Sequence, residues 1–228
     1  MVSIKNLFEN DDVRTIEKRE NISVIEFQRD VSVNKLTAIN EYFAAKMNVR
    51  RRQVLIELNN SEFITSAGAM QWLLALEPTY NYILIEDVGT WNNGMVLEDG
   101  MFLACDGNIN SNVVMRSNIS SAVLGGEGLF NLKLDGRGLA VLESPVPREE
   151  LIEVELDNDQ IKIDGNMAVA WSGSLNFTVE KSTRSLIGSA VAGEGFVNVY
   201  RGTGKVLMAP VRPETVSNIL NYKSNIRP

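Results

Sequence analysis

Two glutamates stand out as residues placed to do chemistry. Glu127 lies in Gly126-Glu127-Gly128 and Glu194 in Gly193-Glu194-Gly195. If equivalent carboxylates converge on one axis, they can bind a cation or a polar ligand. A strand-end glutamate bonded to a backbone N–H or to an arginine explains the same residues more simply. Arg50-Arg51-Arg52 is a short basic cluster and a candidate contact for RNA or another polyanion. Such binding would weaken steeply with salt. In a chain of net charge −7, one basic run is more often a solvated helix end.

The other candidates read as structure. Cys105 is the single cysteine, flanked by Ala104 and Asp106. A reactive thiol needs a nearby cation or helix N-terminus, so Cys105 is expected in the core. Gly136-Arg137-Gly138 and Gly202-Thr203-Gly204 lack the full glycine fingerprint and following helix of a phosphate loop. They read as hairpin turns. Trp72, Trp91 and Trp171 read as core aromatics rather than ligand platforms.

Composition removes whole classes of function. The chain has no histidine, which excludes Ser-His-Asp and Cys-His nucleophile systems and His-ligated zinc or iron. A cation site made of oxygen ligands stays open. One cysteine permits no intrachain disulfide and suits a reducing compartment. No apolar run approaches the ~20 residues that span a bilayer. Residues 1–30 mix acids with bases and lack an apolar signal core, so a cytoplasmic location is expected.

The elements that carry these residues repeat. Val96–Val146 and Ile161–Val211 share four motifs in the same order. Asp99-Gly100 matches Asp164-Gly165, and the two Gly-Glu-Gly steps match. The two Gly-X-Gly steps also match, and Pro145 matches Pro210. The offset stays at 65 to 67 residues, a period that should decide the architecture. Each unit reads as strands, because Leu129–Leu134 and Phe196–Tyr200 partly alternate. Leu139–Leu142 and Lys205–Met208 are expected to return as hairpin partners. The Asp-Gly steps open Met101–Cys105 and Asn166–Trp171.

A third, partial copy lies upstream. Leu76-Glu77-Pro78 and Ile83–Val88 resemble Leu142–Pro145 and Leu151–Leu156. Gly68 and Gly100 are only about half a period apart. Either this copy is shortened between Trp72 and Leu76, or a segment is absent there; the repeat arithmetic favours absence. The organisation is therefore 1–88, 89–156 and 157–212 as three pseudo-repeats, with 213–228 as a tail. Around them, Leu36, Ile39, Phe43 and Met47 mark an amphipathic helix within 34–48. Arg50–Arg52 follow its C-terminal end, where positive charge suits the dipole. Gln53–Leu58 reads as a strand, and Pro213 opens a C-terminal helix over Glu214–Tyr222.

The ordered motifs DGMFLACD, GEGLFNLKLDGRG, LESPVPREELIEVEL, IDGNMAVAW and GSAVAGEGFVNVYRGTGKVLMAP resemble the bacterial branch of the altered inheritance of mitochondria family. FAAKMNVRRRQVL and AGAMQW extend the resemblance over nearly the whole chain. Family members carry a Gly-rich stretch after the AGAMQW-like segment that this sequence lacks at Trp72–Leu76. The resemblance implies a mainly β fold of repeated β-sandwich or double-stranded β-helix-like units, similar to the tryptophan RNA-binding attenuation protein. It also implies a homotrimer, and it supplies no catalytic residues. Its mitochondrial members take part in inner-membrane organisation.

The functional expectation is a non-enzymatic, oligomeric assembly or binding protein, with itself as partner, no DNA and no cofactor. The alternative is a histidine-free enzyme of the double-stranded β-helix kind acting on a small polar molecule, with Glu127, Glu194 and Lys205 as its candidates. RNA or polyanion binding through Arg50, Arg51 and Arg52 is the third.

Overall fold

Runs rich in Val, Ile and Leu fold as strands, and the chain is mainly β. The structure, a computed structural model, describes residues 10–29, 38–58, 62–65, 73–76, 82–115, 130–164, 167–181 and 196–210. In chain order the elements are β1 (Val13–Arg19), β2 (Ile22–Phe27), α1 (Ala38–Lys46), β3 (Arg52–Glu57), β4 (Phe63–Thr65), β5 (Leu73–Leu76), β6 (Tyr82–Asp87), β7 (Met95–Leu97) and β8 (Phe102–Asp106). Then follow β9 (Asn110–Met115), β10 (Phe130–Asp135), β11 (Leu139–Ser144), β12 (Ile152–Asp164), β13 (Ala168–Ser172), β14 (Asn176–Lys181) and β15 (Phe196–Met208).

These strands form three sheets, ordered β1-β2-β3-β5, β4-β8-β11-β6 and β12-β15-β13-β7-β10-β9, with β14 also on β15. The chain divides into two compact units. The first comprises Met1–Thr90, Gly100–Ser111 and Leu134–Arg148. Its core gathers Ile22, Val24, Val54, Ile56, Ile83, Ile85, Leu103 and Val141. The second comprises Trp91–Asp99, Asn112–Lys133 and Glu149–Pro228. Its core packs Trp171 against Phe177 and Tyr200, with ring centroids 5.1–5.2 Å apart. Such tilted and edge-on aromatic pairs add about 0.5–1.5 kcal/mol beyond the area they bury.

Pairing within each unit follows one register. In the first, β11 pairs with β8 as Ala140↔Cys105 and Val141↔Ala104, then slips at a bulge to Leu142↔Phe102. In the second, β15 pairs with β13 as Val206↔Trp171 and Leu207↔Ala170, then slips to Met208↔Ala168. Each second-unit residue lies 66 positions after its counterpart. β4 meets β8 as Phe63↔Asp106, Ile64↔Cys105 and Thr65↔Ala104. β7 meets β13 as Met95↔Ser172, Val96↔Trp171 and Leu97↔Ala170. The turn bonds coincide too: Ile109 N donates to the Asp106 carbonyl, and Leu175 N to the Ser172 carbonyl, both at 3.0 Å.

The Gly-X-Gly steps are not hairpin turns. β15 runs unbroken through Gly202-Thr203-Gly204 and is paired along its length by β12. Before the step its other neighbour is β14, and after it β13. At Gly136-Arg137-Gly138 the strand breaks instead: β10 ends at Asp135 in the seven-stranded sheet, and β11 starts at Leu139 between β6 and β8, so these two strands do not pair as a hairpin. The physical reason lies in the glycines. Gly202 and Gly204 have φ of 124° and 156°, which bend an extended chain without reversing it. A Cβ on Gly204 would sit 2.7 Å from the Ser172 Cβ, so a side chain has no room there. The step lets one strand change partners, as a barrel or sandwich corner requires.

Other expectations meet the structure directly. The Asp-Gly steps do precede strands β8 and β13, and Gln53–Leu58 falls on β3. Leu73–Leu76 pairs with β3 as Val54↔Leu76 through Glu57↔Leu73. Trp72, Glu127, Glu194 and the tail helix at 213–222 lie outside the described residues.

Candidate functional site

The basic run occupies the corner between a helix and a sheet. α1 ends where its sequence offers a left-handed residue. Asn48 has φ of 60°, Val49 N donates to the Ala44 carbonyl at 2.9 Å, and Asn48 N donates to the Ala45 carbonyl at 3.2 Å. This paired closure satisfies helix carbonyls and turns the chain outward. Val49, Arg50 and Arg51 then lead into β3. Phe27 N donates to the Arg51 carbonyl at 3.0 Å, which fixes the end of β2 against this segment.

A cleft of about 440 Å³ opens beside α1. Ala38, Tyr42 and Ala45 contribute to it from the helix, and Phe27, Gln28, Arg29, Val49, Arg50 and Arg51 from the adjoining chain. Lys46 completes the described lining. With Lys46 the four helix residues follow i, i+4, i+7, i+8 spacing, so they share one face. Two of the four are alanines, which are too short to fill the space beneath them. The larger apolar side chains point elsewhere: Ile39, Phe43 and Met47 are exposed by 64%, 59% and 77%. The amphipathic stripe read from the sequence thus faces solvent. Leu36 lies outside the described residues.

The three arginines separate into different roles. Arg52 enters β3 and is buried, with Nε and Nη2 donating to Glu26 Oε2 at 3.0 and 2.7 Å. Its guanidinium lies 4.7 Å from the Tyr82 ring centroid. This corrects the reading of Arg52 as a solvated helix-end charge or a polyanion contact: a partner 26 residues upstream captures it. Arg50 donates from Nη1 to the Gln28 carbonyl at 2.9 Å and keeps Nε 3.7 Å from Glu26 Oε1. Arg51 is exposed on the rim. Arg29, missed by the sequence reading, joins the cleft and forms a two-point pair with Asp12 at 2.6 and 3.0 Å. Asp12 holds the Arg29 guanidinium above its ordinary value through that hydrogen bond and its charge. Lys46 rests 5.5 Å from the Tyr42 ring centroid and meets no carboxylate among the described residues. Among those residues, the lining carries four cations and no carboxylate. The arrangement can hold an anion beside an aromatic wall.

The remaining candidates among the described residues are held in packing or in strand-to-strand contacts. Cys105 is fully buried in β8, and burial, with the nearby Asp106 charge, pushes its thiol up to about 12. Lys205 places its ammonium 4.5 Å from the Trp91 ring centroid and 3.7 Å from Glu153 Oε1. Trp91 and Trp171 are both core residues. On the second unit, Arg201 and Lys162 both donate to Glu180 and hold its carboxyl below the usual range. That cluster ties β12 and β14 to β15. Among the described residues no group of three or more His, Cys, Asp and Glu is placed to hold a metal ion.

Comparison with known proteins places this chain among bacterial relatives. An uncharacterized protein of Streptococcus pyogenes serotype M6 is 31% identical over 125 residues, which cover 54% of this chain and 48% of that protein. The match thus spans about half the length of that curated relative. A Streptococcus pyogenes protein of known crystal structure superposes with a TM-score of 0.55 at 21% identity. The superposition covers 77% of this chain and 94% of the other, and it shows a shared fold. The model of the family described as Mitochondrial biogenesis AIM24 matches residues 58–211, about two thirds of the sequence, and the chain belongs to that family.

Proposed function

We propose that this chain is a non-enzymatic, self-assembling β protein of the cytoplasm, built from three pseudo-repeats at 1–88, 89–156 and 157–212. The shared registers, with their bulges at equivalent positions, support the repeat. The edge of β9, unguarded among the described residues, carries the assembly reading. Edge strands present unpaired N–H and C=O groups, and monomeric proteins protect them with charges, prolines or bulges. β12 is protected by exposed Glu153, Glu155, Asp157, Asp159 and Lys162, and β1 by Arg14, Lys18 and Arg19. Among the described strands β9 ends the seven-stranded sheet, with Asn-Ser-Asn-Val-Val-Met, which has no charge and no proline. Its Val113 is 69% exposed. A second copy of the chain can add to such an edge and close it. The expected state is the homotrimer that the family resemblance implies.

Light scattering on the purified chain at micromolar concentration tests this. The expected mass is a multiple of the protomer, and Val113→Lys lowers it while far-UV circular dichroism is unchanged. A monomeric mass for the unaltered chain refutes the reading.

A further inference from the structure

The cleft beside α1 is not accounted for by assembly. Its described lining belongs to the first unit and lies away from the β9 edge in sequence. Three observations bear on its occupant. Its volume of about 440 Å³ falls in the range of small-molecule sites, roughly 300–1,000 Å³. The sign of its lining opposes that of the chain: cationic where the whole protein is −7. The lining also offers both kinds of contact: Tyr42, Ala45 and Val49 are aromatic or apolar, while Lys46, Arg50 and Arg51 are cationic.

We propose that this cleft binds an anionic amphiphile, a phosphate group carried on an apolar body. The phosphate would take the ammonium of Lys46, which meets no carboxylate among the described residues, together with a guanidinium of the rim. Arginine forks match phosphate oxygens, and lysine adds a point charge. The apolar body would lie against the Tyr42 ring and fill the space that Ala45 leaves. Inorganic phosphate lacks the second part and an uncharged aromatic lacks the first, so neither alone satisfies the site. The proposal stands independently of the assembly reading.

Calorimetry on the full chain tests it with phenyl phosphate as probe, and inorganic phosphate and phenol as its two halves. Co-sedimentation with phosphatidylglycerol vesicles, against phosphatidylcholine vesicles, separates a lipid headgroup from a soluble phosphate. Phenyl phosphate is expected to bind at least about tenfold more tightly than either half, because it adds a charge-assisted contact over phenol and a buried apolar ring over inorganic phosphate. If only the anionic vesicles bind, the amphiphile is a lipid and the site stands. Lys46→Glu should weaken binding about tenfold or more. Ala45→Trp should block it by filling the cleft while leaving every cation in place. Both variants should keep the far-UV spectrum and oligomeric mass of the parent, which separates lost binding from lost folding. The proposal is overturned if neither phenyl phosphate nor anionic vesicles bind, or if inorganic phosphate binds as well as phenyl phosphate. It is also overturned if a properly folded Ala45→Trp chain binds unchanged, or if single-stranded RNA alone is retained.

Discussion

Replacing Arg52 with methionine should destabilise the first unit by about 3 kcal/mol, at the low end of the ~3–5 kcal/mol typical when one partner of a buried ion pair is removed. Methionine keeps most of the packed stem, so the loss reports the charge. Arg52 donates twice to Glu26 Oε2, and the two side chains are 8% and 9% exposed. Removing the guanidinium leaves Glu26 buried. The low end applies because Arg50 Nε stays 3.7 Å away and Gln28 Nε2 still donates to Glu26 Oε1 at 3.1 Å. The contact with Tyr82 disappears as well, at about 0.5–1 kcal/mol. Urea denaturation followed by circular dichroism measures this. With a slope of about 2 kcal/mol/M the midpoint falls by about 1.5 M. Arg52→Met combined with Glu26→Leu should recover at least half of the loss, because no uncompensated charge remains inside. The exposed Arg51→Met should change stability by no more than about 0.5 kcal/mol. A midpoint shift below about 0.5 M for Arg52→Met, or a double variant as unstable as its two single changes summed, refutes the assignment.

The Gly-X-Gly steps make a second prediction. Gly138→Ala and Gly204→Ala should each cost about 2–4 kcal/mol, combining positive φ with Cβ approaches of 2.6 Å to Asp106 Oδ2 and 2.7 Å to the Ser172 Cβ. Gly100→Ala, at φ 78° but with open space around it, should cost only about 1–2 kcal/mol, and equal losses at all three in thermal denaturation would count against a packing cause. Cys105, its thiol pushed up to about 12, should label with a disulfide reagent at pH 8 only as fast as the chain opens. Rapid labelling in native buffer would contradict its burial. For Glu180 the folded-state value is lowered, so its stabilising contribution is present above the unfolded-state carboxylate value and fades as pH falls through the folded one. Glu180→Gln should therefore flatten that part of the acid limb in a pH series of denaturation curves, and an unchanged limb would remove Arg201 and Lys162 as its cause.

Much of the architecture was legible in the residues. β-branched runs and Asp-Gly steps located β3, β8 and β13, and the lone cysteine and Trp171 were readable as core because they occupy neighbouring positions of one repeat slot and no residue beside Cys105 could activate a thiol. The lack of histidine, a fact of composition alone, closes several chemistries before any fold is considered. The family membership likewise follows from ordered motifs that survive in one dimension. Pairing was not legible. Gly202-Thr203-Gly204 has the residues of a tight turn, and only the ladders to β12, β14 and β13 make it a bend within one strand. The three adjacent arginines look alike in sequence, yet Glu26 and Tyr82 draw Arg52 inside while Arg50 and Arg51 line the cleft. The stripe of Ile39, Phe43 and Met47 identified a helix but not which way it faces. Local propensity and periodicity act over a few residues, whereas burial and charge pairing are set by groups brought from far along the chain, so the elements could be read from the sequence and the site could not.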